Sequence, residues 1–77
     1  MKPVEYAALE VCAEVERAQA KFPPFKSHHE AYAVLLEEVE EFWDAIKAND
    51  YKNSRAEAVQ VAAMALRYLA EFEAIKP

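Results

Sequence analysis

The chain has 77 residues and a mass of 8.8 kDa, is 55% hydrophobic, contains no glycine and one cysteine, and carries a formal net charge of −5. That size admits one domain, spanning 1–77, and the lack of glycine excludes a P-loop, a Rossmann fingerprint and any phosphate cradle that needs positive φ or close backbone approach. One cysteine excludes an internal disulfide and a thiolate metal site, and the excess of acid disfavours direct binding of nucleic acid by a basic surface.

Hydrophobic periodicity predicts an all-α chain of three helices. The first, about 3–21, opens with Pro3 at its first position, presents Val4, Ala8, Val11, Val15, Ala18 and Phe22 as its apolar stripe, and stops before Pro23-Pro24. Cys12, set among these apolar positions, is expected to be a buried, inert thiol. The second helix, about 28–48, starts at the capping-box pattern Ser27-His28-His29-Glu30 and carries Tyr32, Leu35, Leu36, Val39, Phe42, Trp43 and Ile46 on its apolar face. It ends near Asn49-Asp50. A second capping-box pattern, Ser54-Arg55-Ala56-Glu57, predicts a third helix over about 54–75.

This third helix is apolar nearly all round between Ala58 and Leu69, which two other helices alone do not cover. A chain this short also has little core to offset its ordering entropy. Both points predict a helical bundle completed by homo-oligomerisation, as a homodimer or homotetramer. No apolar run approaches the ~20 residues that span a bilayer and no secretory leader pattern opens the chain, so the expected setting is cytoplasmic, with no membrane partner.

Acid is concentrated rather than spread. Residues 30–50 carry Glu30, Glu37, Glu38, Glu40, Glu41, Asp44 and Asp50 against Lys47, a local charge of −6. Among the five acids from Glu37 to Asp44, the pairs 37/40, 37/41, 38/41, 40/44 and 41/44 are three or four apart, and each costs about 0.2–0.5 kcal/mol when exposed. Two readings fit this face. It is a solvated acidic surface, or it is a site where Glu38 and Glu41, with Glu37 beside them, converge on a hard divalent cation such as Mg²⁺. Glu57 and Gln60 repeat the i,i+3 spacing on the third helix, where an antiparallel neighbour would bring them opposite Glu38 and Glu41. Glu57 also has a plain role as the capping partner of Ser54.

The segment Glu37-Glu38-Val39-Glu40-Glu41, followed by Glu57-Ala58-Val59-Gln60, resembles the EExxE…ExxD signature of MazG-like, all-α nucleoside triphosphate pyrophosphohydrolases. The flanks His29 to Leu36, Phe42-Trp43-Asp44 and Glu57 to Leu69 are similar to a short MazG-like subgroup, so the likeness covers roughly residues 27–72. The resemblance implies Mg²⁺, or Mn²⁺ in its place, held by Glu38, Glu41 and Glu57, with Gln60 at the family's aspartate position, where a neutral amide weakens the hold on a second ion. It implies hydrolysis of a (deoxy)nucleoside triphosphate to a monophosphate and pyrophosphate, with Glu37 or Glu41 as the carboxylate that activates water. Arg67, Lys52 and Arg55 are the candidate phosphate contacts, and Phe22, Phe25, His29 and Trp43 are the candidates for the base. Two other classes fit the same residues: a nucleotide- and metal-binding module without turnover, and a small acidic helical assembly protein without a site.

Overall fold

The computed structural model describes residues 1–72. They form three helices, α1 (Pro3–Lys21), α2 (His28–Lys47) and α3 (Tyr51–Glu71), and no strand. The part of the predicted third helix beyond Phe72 lies outside the described residues.

Each terminus has a local cause. Pro3 occupies the first position of α1, and the Glu5 carboxylate accepts a hydrogen bond from the Lys2 N–H at 2.8 Å. Phe22 closes the helix through its N–H to the Ala18 carbonyl, and Pro23-Pro24 cannot continue it. Ser27 caps α2 by accepting from the Glu30 N–H at 3.0 Å, whereas the Glu30 side chain accepts from the Lys26 N–H and not from that of Ser27. The capping box is therefore half realised, with its return arm shifted by one residue.

The α2–α3 connection differs most from expectation. The Asp50 N–H reaches the Ala45 carbonyl and the Asn49 N–H reaches that of Ile46, a Schellman closure with Asn49 in the left-handed region at φ 58°. Asparagine fills the place that this glycine-free chain cannot give to glycine. Asp50 then caps α3 at once, its side chain accepting from the Asn53 N–H at 3.2 Å. The third helix thus starts at Tyr51 and not at Ser54. Ser54 is buried within its first turn and donates to the Tyr51 carbonyl at 2.8 Å, so the expected second capping box does not form.

Packing makes α3 the central helix, with α1 and α2 each against it and no α1–α2 contact. The core is small: Val15, Ala18, Phe25, Ala31, Ala63 and Met64, with Val11, Val34, Leu35, Leu66, Tyr68 and Phe72 packed around it. Several residues of the predicted apolar stripes lie outside that core. Val4, Phe22, Tyr32, Leu36, Val39 and Trp43 are exposed, and so is Cys12, because the first turns of α1 and the outer face of α2 have no helix over them. No helix among the described residues is long and apolar enough to cross a membrane.

A buried ion pair fastens the loop to the bundle. Arg67 donates through Nε to Glu71 at 2.6 Å and through Nη2 to the Pro23 carbonyl at 2.7 Å, and its guanidinium lies 4.0 Å from the centre of the Phe25 ring. Glu71 in turn accepts from the Phe25 N–H at 2.7 Å and from the Gln19 amide. Burial alone would raise the Glu71 carboxyl, but these three donors hold it below the usual range. A second pair, the bidentate contact of Arg55 with Glu10 at 2.9 Å, ties the exposed start of α3 to α1.

Candidate metal centre

The antiparallel α2–α3 pair sets Glu38 and Glu41, one helical turn apart, against Glu57. One carboxylate oxygen from each lies within 4.8 Å of the others. Oxygens bound to one octahedral Mg²⁺ at 2.0–2.1 Å stand about 2.9 Å apart when adjacent and about 4.2 Å when opposite, a range that side-chain torsions can bring these three carboxylates into.

Electrostatics marks Glu38 and Glu57, with Glu41 as a neighbouring charge acting on both. Partial burial pushes Glu38 up to about 7, with Glu41 and then Glu57 adding to the rise. Burial and the Glu41 carboxylate also push Glu57 up. Its Oε2 is buried without a hydrogen-bond partner, and the facing oxygens of Glu38 and Glu41 cannot donate to it unless one is protonated. Near neutral pH Glu38 therefore holds a proton part of the time, and a bound cation would displace it. Because Ser54 does not cap α3, Glu57 has no capping duty that competes with this placement.

On either side of the triad the α2–α3 groove opens. Toward the loop of residues 48–50 it is lined by Glu41, Asp44, Asp50, Asn53 and Glu57. Toward α1 it widens into a cleft of about 630 Å³, with Glu37, Glu38, Gln60 and Arg67 on one wall. That volume is of the size that holds small molecules.

The remaining sequence candidates are scattered. Gln60 stands opposite Glu38, but its amide serves Glu14 of α1, helping with Arg17 to hold that carboxyl below its ordinary value. Arg67 borders the cleft, yet it is buried and bonded to Glu71 and Pro23. Arg55 is engaged by Glu10, and Lys52 is exposed in the first turn of α3, beyond the triad from the cleft. Phe25 is buried under Arg67, and its ring forms part of the cleft lining. His29 is exposed in the first turn of α2. Its neighbour His28 bonds the Tyr68 hydroxyl at 2.9 Å and packs on Phe72. Trp43 is 56% exposed on the outer face of α2, beneath Lys47, so it belongs neither to the core nor to the cleft.

Sequence reasoning missed the α1 wall. Glu14, Arg17 and Lys21 all line the cleft. Their spacing of three and four places them on one helix face, which was readable, but nothing in the sequence said that this face looks toward α2. Compared with protein-family models, with curated proteins and with solved structures, the chain matches none.

Proposed function

We propose that this protein is a cytoplasmic, Mg²⁺-dependent nucleotide pyrophosphohydrolase that acts as a homodimer or homotetramer and converts a (deoxy)nucleoside triphosphate to a monophosphate and pyrophosphate. The observation that carries the reading is the convergence of Glu38, Glu41 and Glu57, with the buried Glu57 Oε2 left without a donor, beside a cleft large enough for a nucleotide. The motif resemblance supplies the reaction class.

In this reading Glu38, Glu41 and Glu57 hold the cation, which when bound neutralises phosphate charge and polarises water. Glu37, exposed on the cleft wall and outside the triad, takes the proton of the attacking water, while Glu41 is committed as a ligand. The exposed apolar face of α2 supports assembly with further copies.

Thermal unfolding with and without Mg²⁺ or Mn²⁺ tests the cation site. At about one hundred times the dissociation constant the midpoint is expected to rise by about 11–22 °C, and Glu38→Gln is expected to remove the rise. No rise in the parent protein defeats the site. A panel of common and modified nucleoside triphosphates with pyrophosphate detection tests the reaction. Saturable nucleotide binding without pyrophosphate across the panel replaces the enzyme with a binding module.

A further inference from the structure

Charge in the cleft beside the triad is uneven. From α2 it is lined by the carboxylates Glu30, Glu37 and Glu38, and from α1 by Arg17 and Lys21 together with Glu14, with Ala18 and Met64 adding apolar surface. Arg17 lines the cleft and donates to Glu14, at 3.0 Å through Nε and 2.5 Å through Nη2, while its side chain stays 65% exposed and open to a further acceptor. Lys21 has no ion-pair partner among the described residues, and its Nζ lies 5.3 Å from the centre of the Phe22 ring. A lysine in the last turn of a helix also suits the helix dipole, so its place in the sequence decides nothing. Its place on the lining of a void of small-molecule size, shared with the α2 carboxylates, does.

We propose that Arg17 and Lys21 form an anion subsite that takes the phosphate oxygens of a polyphosphate whose other end reaches the cation held by Glu38, Glu41 and Glu57. The subsite deepens the nucleotide reading and rests on it for the cation. A triphosphate bound to one divalent cation keeps about two negative charges, and a cleft walled only by carboxylates would repel it. The other basic side chains near the site do not serve: Arg67 is buried and bonded to Glu71 and Pro23, and neither Arg55 nor Lys52 lines the cleft. Arg17 and Lys21 are both exposed, so neither is needed to hold the fold.

Calorimetric titration with inorganic tripolyphosphate, in Mn²⁺ and again in chelator, tests this on the parent protein and on Arg17→Met/Lys21→Met, with circular dichroism confirming that both are helical. Affinity in Mn²⁺ is expected to fall about tenfold or more in the double variant, and to recover in large part in Arg17→Lys/Lys21→Arg. Lys52→Met, equal in charge loss to either single change, is expected to stay within about twofold of the parent. The rise in melting temperature with Mn²⁺ alone is expected to persist in the double variant. Unchanged tripolyphosphate affinity there, or a parent that binds Mn²⁺ but no tripolyphosphate, overturns the subsite and leaves the cation site standing. A parent that Mn²⁺ does not stabilise overturns the cation reading instead. In that event, binding in chelator that the double variant loses retains the subsite, and no binding in chelator removes it.

Discussion

At the scale of single residues, Glu38 carries the clearest consequence. Its carboxyl is raised to about 7 in the folded chain, by burial first and then by Glu41 and Glu57, whereas the unfolded chain exposes an ordinary carboxylate near 4.5. Between those values the folded state binds more protons than the unfolded one, so stability falls as pH rises. Glu71 acts in the opposite sense: it is held low, and the stability it contributes is lost as pH falls below the ordinary carboxylate range. Without metal, the melting temperature is therefore expected to peak near pH 5 and to decline toward pH 7, a profile that thermal scans from pH 3 to 8 would trace. Glu38→Gln relieves two like-charge contacts worth about 0.2–0.5 kcal/mol each, so it is expected to flatten the decline and raise the midpoint at pH 7 by about 2–8 °C. A parent profile that keeps rising to pH 7 would contradict the raised Glu38 carboxyl. The spacing of the glutamates made the meeting of Glu38, Glu41 and Glu57 legible in the sequence. The fate of Arg67 was not legible, because its partners Pro23, Phe25 and Glu71 come together only once the loop folds back over α3.

Among the helices, periodicity and stop signals located all three, and the ends set by Pro3, Pro23-Pro24 and Ser27 fall where the local chemistry places them. The start of α3 did not, because two cap candidates, Asp50 and Ser54, stand one turn apart, and Ser54 has glutamate at the favoured spacing. The chain resolves the competition through the three-residue connection after Lys47: once Asn49 closes α2 in the left-handed region, Asp50 already lies outside helical geometry, at φ −91° and ψ 77°, beside the first free N–H groups of α3. The two caps can be separated by measurement. Asp50→Ala is expected to cost about 1 kcal/mol, or 4–8 °C, as the loss of a cap does. Ser54→Ala removes a hydroxyl that bonds back along its own helix and gains helix propensity, so its effect is expected to stay within about 0.5 kcal/mol. The reverse order in thermal melts would restore the capping box at Ser54. The apolar stripes were legible as amphipathic faces, yet their burial was not: periodicity shows that a face wants cover and is silent on which neighbour supplies it.

For the whole molecule, that missing cover becomes the main physical problem. The Cα radius of gyration is 13.3 Å, against about 11.5 Å for a closed domain of this length, as expected when α1 and α2 flank α3 without meeting. Tyr32, Leu36, Val39 and Trp43 recur at spacings of four, three and four along α2, with exposures of 65%, 39%, 40% and 56%. The spacing is that of a coiled-coil seam, and a lone copy leaves it in water. Pairing two copies along it buries these side chains but brings two α2 helices together, each with six acids against Lys47 and so of charge −5, with Glu40 and Asp44 beside the seam. The dimer should accordingly tighten with salt, the reverse of an assembly held by ion pairs. Sedimentation equilibrium at about 100 μM is expected to give a dimer or larger species that strengthens between low and moderate salt. Leu36→Glu with Trp43→Glu is expected to yield a helical monomer whose melting temperature no longer depends on protein concentration. A parent protein that remains monomeric at that concentration in moderate salt would rule out the α2 seam, leaving the exposed apolar face without a second copy to cover it.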